Sequence, residues 1–308
     1  MKKIILLMTI ILSTALLSGC TQIEEKKLNI IAVNFPSYDF TRAIIKNNKD
    51  VSLEMLVKPG EEVHTFEPTP KDIINIQKSD LFIYTGGESD EWVEDIIEDI
   101  DKNKTTVLKL MDLVEVKEEE TVEGMEIDND EEDEYDEHVW TSLKNAIQIT
   151  NKIEKRIETI DSDNKALYQK NAEEYTLKIK QIDTEIKNIV ASSKRKEIIF
   201  GDRFPLRYFT DDYNLKYFAA FPGCAEETEA SVKTIKFLID KVKRDNIPAV
   251  FKIEMSNGLV ANQIAEETDT KVLEFNSAHN ISKKDFDSGK TYVDIMNQNK
   301  AALKEALN

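Results

Sequence analysis

Between residues 142 and 191 the chain contains neither proline nor glycine. Leu143, Ile147, Ile149, Ile153, Ile157 and Ile160, then Leu167, Tyr175, Leu177, Ile179, Ile182, Ile186 and Ile189, recur there at helical spacing among lysines and glutamates. The pattern predicts a long helical stretch with a break near Asp161 to Asn164. Alone it would suit a coiled coil. The sequence on either side is of another kind, so the stretch is expected to be a rigid connector between two lobes.

On the amino-terminal side, Leu28 to Val33, Ser52 to Val57, Leu81 to Thr85 and Val107 to Leu110 are short apolar runs expected as buried strands. Phe40 to Lys46, Lys71 to Gln77 and Trp92 to Ile100 carry helical spacing between them. After the connector the alternation returns. Ile198 to Phe200, Tyr217 to Ala220, Ala249 to Ile253 and Lys271 to Phe275 are expected as strands, with helices at Val232 to Arg244, Leu259 to Glu267 and Tyr292 to Leu307. Strand–helix alternation implies parallel βαβ units, with ligand sites at the carboxyl ends of the strands. The expected fold class is therefore α/β: two lobes with mainly parallel sheets, joined by one long helix, with a cleft between them.

The first twenty residues are a targeting segment. Lys2 and Lys3 precede an apolar run from Ile4 to Leu17, too short for a comfortable membrane span, which ends in Leu17-Ser18-Gly19-Cys20. That ending resembles the bacterial lipobox, in which the cysteine is lipidated and becomes the new amino terminus. The expected division is a signal peptide at 1–19, a lipidated tether at 20–27, an amino-terminal lobe at 28–141, the connector at 142–191 and a carboxyl-terminal lobe at 192–308. Cys20 and Cys224 are the only cysteines. With Cys20 lipidated, Cys224 has no intrachain partner and is expected as a small buried filler.

Forty-one basic and 59 acidic side chains give a formal net charge of −18. An excess of this sign repels a phosphate backbone, which excludes nucleic acid as a partner. Residues 118–137 hold thirteen acids and no base. Like charges at this density extend a segment, so a solvated loop is expected there, either merely solubilising or collecting cations weakly ahead of His138.

The chain has three histidines, His64, His138 and His279, and each falls in a loop at the end of an element, where binding groups collect. The segment His64-Thr65-Phe66-Glu67-Pro68-Thr69-Pro70 resembles the His-x-x-Glu-Pro-x-Pro loop of the zinc/manganese ABC-transporter substrate-binding lipoproteins. Glu137-His138-Val139-Trp140 resembles the second ligand loop of that family, which likewise opens the joining helix. Ile31 to Phe40 and Ile247 to Glu254 resemble a strand of each lobe, so the similarity covers essentially the whole mature chain.

The resemblance implies a metal held by His64, His138, Asp202 and His279, with Glu67 and Glu254 as reserve ligands or as groups that orient one. Two of these positions depart from the family. Asp202 stands where a histidine or glutamate is usual, and His279 replaces an aspartate whose approximate place is taken by Asn276. Three imidazoles and one carboxylate suit tetrahedral Zn²⁺, whereas Mn²⁺, the alternative, prefers more oxygen. Histidine ligation also implies that affinity falls below about pH 6.5. The implied partners are the metal, an ABC permease and, through Cys20, the extracytoplasmic face of a membrane, with the protein a monomer. The rivals are a lipid-anchored zinc hydrolase and an adhesin-like surface protein with a structural metal. The hydrolase lacks support, because His-Glu-x-x-His, Gly-x-Ser-x-Gly and phosphate-cradling glycine loops are all missing from the sequence.

Overall fold

In the computed structural model the described residues are 28–125, 135–223 and 230–308. The signal peptide, Cys20, Cys224 and the middle of the acidic run, 126–134, lie outside them. Among the described residues eight strands form, each overlapping a segment that the sequence marks. In the amino-terminal lobe these are β1 (Leu28–Ala32), β2 (Val51–Met55), β3 (Leu81–Tyr84) and β4 (Thr106–Lys109). In the carboxyl-terminal lobe they are β5 (Glu197–Arg203), β6 (Lys216–Phe221), β7 (Ala249–Lys252) and β8 (Lys271–Glu274). The sheets run β2-β1-β3-β4 and β6-β5-β7-β8, and every pairing is parallel. The sequence shows no internal repeat, yet the two lobes share one strand order. In each sheet the order reverses beside the first strand, so a crevice opens at the carboxyl ends there.

The helices are α1 (Phe35–Ile44), α2 (Pro70–Lys78), α3 (Glu91–Ile97), α4 (Leu143–Ile160), α5 (Lys165–Ser192), α6 (Arg207–Tyr213), α7 (Val232–Asp245), α8 (Leu259–Thr268), α9 (Lys283–Asp287) and α10 (Tyr292–Leu307). α1 begins five residues before its apolar spacing suggests, because Asn34 and Ser37 form a reciprocal capping box with Pro36 in the first turn. Thr69 and Asp72 cap α2 in the same way, fixing the loop that carries His64. α6 and α9 are too short to show a period in the sequence.

The fifty-residue helical stretch divides at Asp161, and a single 3₁₀ turn at Ser162–Asn164 separates α4 from α5. The two helices pack against each other, and the long α5 touches α1 of one lobe and α6 and α10 of the other. Tyr168, Ala172, Tyr175, Ile179, Ile182, Ile186 and Val190 form its buried stripe. Leu177, apolar and in the sequence pattern, faces solvent instead at 66% exposure. The buried side chains of α4 and α5 join Phe40, Ile83, Trp140, Phe200, Phe251 and Tyr292 in one continuous core. Each such side chain contributes about 1.5–3 kcal/mol, so the connector is part of the hydrophobic interior shared by both lobes.

Asp39 adds a polar tie at this junction. Its Oδ2 accepts from the Tyr175 hydroxyl of α5 at 2.5 Å and from the Tyr292 amide of α10 at 2.7 Å. Its Oδ1 pairs with Arg42, which donates onward to the Lys290 carbonyl at 2.9 Å. One buried carboxylate on α1 thus links both lobes to the long helix.

The ends of the acidic run are folded, against the expectation of a solvated loop throughout. Glu118 bridges Tyr135, the Gly223 amide donates to Glu119 Oε1 at 2.7 Å, and Glu120 pairs with Arg207. Met125, Asp136 and Glu137 are buried. Glu118 and Glu120 stay exposed while they make these contacts, whereas Asp136 and Glu137 are drawn out of water by hydrogen-bond partners around the cleft.

Candidate metal centre

The three histidines converge. His64 follows the carboxyl end of β2, His138 precedes α4 and His279 follows β8, so loops of both lobes and the start of the connector meet at one point. Ring centroids are 5.0 Å apart for His64–His279 and His138–His279, and 5.8 Å for His64–His138. One ligand atom from each histidine and one from Glu137 all lie within 4.8 Å of one another. A cleft of about 280 Å³ opens onto this cluster, with Asp202, Arg203 and Glu254 also in its wall.

The loops are tied across the lobes. The Asn280 side chain donates to the carbonyls of Lys58 and Glu61, at 3.0 and 2.7 Å, and so holds the His64 loop to the His279 loop. Trp140 donates its indole N–H to the Ser277 carbonyl at 2.8 Å, and its ring lies 5.5 Å from His138 and 4.9 Å from His279. Ala278 adopts φ 61°, in the left-handed region, and its amide donates to Asn276 Oδ1 at 2.7 Å; this tight turn sets His279.

Each candidate ligand is held from behind. Asp136 Oδ1 accepts from the His138 amide at 2.8 Å and lies 3.1 Å from His138 Nδ1. The Ser89 hydroxyl lies 2.9 Å from His64 Nδ1 and donates to Glu137 Oε1, while the Ser89 amide donates to Glu137 Oε2 at 2.9 Å. Gly87, at φ 84°, lets this turn approach closely, since a Cβ there would sit 2.6 Å from the Glu137 Cβ. In the opposite lobe the amide and hydroxyl of Ser277 both donate to Glu254. The Ser277 hydroxyl in turn accepts from the His279 amide at 3.2 Å.

Burial governs the electrostatics. His64 is pulled down to about 3, chiefly by burial, with the charges of His138 and Arg203 adding to it. His279 lies well below its ordinary value for the same first reason, reinforced by His138 and His64. Burial also pulls His138 down, but the adjacent Asp136 carboxylate outweighs it and leaves the ring above the ordinary 6.5. Burial raises the Glu137 carboxyl to about 7, although His138 and Ser89 work against this. Among the described residues, Nε2 of His138 and Nε2 of His279 are buried without a hydrogen-bond partner. Two ring nitrogens without a hydrogen bond, one of them 3.5 Å from Glu137 Oε1, beside a third imidazole form a set of donors that fits a cation.

The structure brings together three of the four expected ligands. Asp202 lines the same cleft but lies outside the cluster. It sits where β5 shifts register, and its oxygens accept from the amides of Arg203 and Ile253 at 3.0 and 3.4 Å. The carboxylate of the cluster is Glu137, which adjoins His138 in sequence and is hidden there among the acids of the charged run. Glu254 stands behind His279 as one of the orienting groups, and Glu67 is exposed on its loop. Ser89 and Asp136, which hold the candidate ligands in place, carry no signal in the sequence beyond their type.

The family model for the periplasmic component A of zinc-uptake complexes matches residues 30–306. The chain belongs to this family. Among its relatives, the high-affinity zinc uptake system protein ZnuA of Bacillus subtilis (strain 168) is 31% identical over 292 residues, covering 94% of this chain and 90% of that protein. The zinc-binding lipoprotein AdcA of Streptococcus pneumoniae (strain ATCC BAA-255 / R6) is 29% identical over 310 residues, 99% of this chain. This chain spans 61% of that relative's length. The crystal structure of the Zn(II)-bound ZnuA-like domain of the pneumococcal AdcA superposes with a TM-score of 0.75 at 26% identity, over 91% of this chain and 99% of that domain.

Proposed function

We propose that this member of the zinc-uptake family captures Zn²⁺ outside the cytoplasmic membrane and delivers it to an ABC permease. The observation that carries this reading is the cluster of part-buried His64 with buried Glu137, His138 and His279, with ligand atoms within 4.8 Å and two imidazole nitrogens that make no hydrogen bond. Three nitrogens and one oxygen match tetrahedral Zn²⁺ and are poor in the oxygens that Mn²⁺ prefers, so Mn²⁺ is the weaker cargo. The names of the Bacillus and pneumococcal relatives, and the Zn(II) bound in the pneumococcal domain, support the same cargo. Four protein ligands leave no open position for an activated water, which favours capture over hydrolysis. Among the described residues no helix is long and apolar enough to cross a membrane; attachment falls to lipid on Cys20, with the protein acting as a monomer.

The test is zinc content and calorimetric titration of the soluble domain, comparing wild type with His64→Ala, His138→Ala, His279→Ala, Glu137→Gln and Asp202→Ala. The histidine variants are expected to lose high-affinity binding and Asp202→Ala to retain it. Undiminished zinc binding in all three histidine variants refutes the site. Unfolding of the wild type when a chelator removes zinc would instead favour a structural metal in an adhesin-like protein.

A further inference from the structure

The turn at residues 86–90 supplies a group that touches two candidate ligands at once. The Ser89 hydroxyl meets His64 Nδ1 at 2.9 Å and Glu137 Oε1, and the Ser89 amide meets Glu137 Oε2 at 2.9 Å. Ser89 is buried at 4% exposure, and Asp90 braces the turn by accepting from the amides of Thr85 and Gly86 at 2.7 and 3.1 Å. A ligating carboxylate is ionised and only accepts, so both Ser89 donors are committed to it. The hydroxyl has one proton. With that proton on Glu137, the oxygen receives Nδ1–H of His64, and Nε2 is the nitrogen of His64 left to ligate.

We propose that Ser89 is the selectivity residue of the centre. It acts on the metal through His64 and Glu137 and sets the preference for Zn²⁺ over Mn²⁺. This inference rests on the ligand cluster proposed above. Ser89 fixes one tautomer of His64 and, with one hydrogen bond to each Glu137 oxygen, fixes the orientation of the carboxylate, so that Oε1, 3.5 Å from His279 Nε2, is the oxygen turned toward the imidazoles and the donor set stays three nitrogens and one oxygen. Without the hydroxyl, the carboxylate keeps one amide contact and can turn both oxygens toward the metal. The His64 ring then presents either nitrogen. An added oxygen ligand moves the site from the set that Zn²⁺ favours toward the one that Mn²⁺ favours.

Ser89→Ala and Ser89→Gly remove the hydroxyl and keep the amide. The expected result is a loss of zinc affinity of about ten- to a hundredfold, the usual effect of losing a group that orients a ligand. Manganese affinity should fall far less, so the ratio of the two constants narrows. Co²⁺ bound to wild type should show the intense visible absorption of a tetrahedral site, and this band should weaken in both variants as the coordination number rises. A wild-type Co²⁺ spectrum in the variants, or an equal loss for both metals, overturns the proposal. His64→Ala is measured alongside. If it binds zinc normally, His64 is not a ligand and this inference falls with that assignment; if it loses zinc while both Ser89 variants behave as wild type, the selectivity role alone fails.

Discussion

Glu137→Gln separates the binding role of this side chain from its effect on folding. The carboxyl is fully buried and its pKa is raised to about 7 from an ordinary 4.5, mainly by burial. A raised carboxyl favours its protonated form in the fold. The metal-free protein therefore loses stability as pH climbs from the unfolded value near 4.5 through about 7, and loses nothing below that window. At 1.36 kcal/mol per unit, the interval amounts to about 3 kcal/mol, fully developed by pH 8. Glutamine has the same shape and no charge, so it removes this pH-dependent loss. Zinc affinity should move the other way. Structural zinc sites bind with roughly 10–16 kcal/mol across four ligands, so one ligand accounts for about 3 kcal/mol and its loss for roughly two orders of magnitude in affinity. Urea unfolding of the metal-free proteins at pH 4.5 and pH 8, with zinc titration at pH 8, measures both effects. The expected variant is more stable than wild type at pH 8, about equal at pH 4.5, and much weaker for zinc. Wild-type zinc affinity would refute Glu137 as a ligand, and a large loss in Asp202→Asn instead would return that role to Asp202.

Other outcomes follow from contacts away from the carboxylate. Zinc binding near pH 7 should release protons from His138 and Glu137 and none from His64, whose ring is already neutral above about 3; titrations in buffers of different ionisation enthalpy count them, and unchanged release in Glu137→Gln would contradict this. Asp39→Ala should lower stability by roughly 2–5 kcal/mol, because it leaves the buried Tyr175 hydroxyl and Tyr292 amide without their acceptor. In a double-mutant cycle with Tyr175→Phe the losses should fall short of additive. Gly201→Ala brings a Cβ within 2.4 Å of the Ala261 Cα, backbone that cannot step aside, and should cost roughly 1–3 kcal/mol, read as a lowered thermal midpoint. Removing residues 126–134 should leave high-affinity zinc binding intact, since Glu119, Glu120, Asp136 and Glu137 are anchored on either side; weaker extra binding equivalents in calorimetry should disappear if that segment collects cations.

The eight strands of the described residues are legible in the sequence because each carries a short run of apolar residues bounded by polar ones; the inner strands β3 and β5 are buried along almost their whole length, whereas the edge strands β2 and β8 keep exposed polar residues. The helical stretch is legible too, down to its break at Asp161, but not its depth in the core. Lysines and glutamates on the outer face of α5 resemble those of any solvated helix, and only packing shows that the helix touches α1 of one lobe and α6 and α10 of the other. The histidines declare themselves by scarcity and position. The carboxylate does not. Choosing between Asp202 and Glu137 depends on which one the fold brings within reach of the three imidazoles, and the bulge in β5 that gives Asp202 to the amides of Arg203 and Ile253 is a matter of strand register. Ser89 is one serine among many until the turn at 86–90 closes on Glu137. Charge density misleads in the same way at Asp136 and Glu137. A run of acids suggests water, yet its last two members are among the most buried residues of the protein.

Trp140 sits against two of the three ligand rings, its own ring fully buried and its indole N–H already engaged. The other tryptophan of the chain, Trp92, lies with Phe66 and Phe82 on the far side of the amino-terminal sheet. The protein therefore contains its own optical probe. A proton leaving His138, or a metal with a partly filled d shell arriving beside it, alters the emission of one indole and leaves the other as an internal reference. Loading of the centre, and its emptying into a transporter, can be timed from the unlabelled polypeptide.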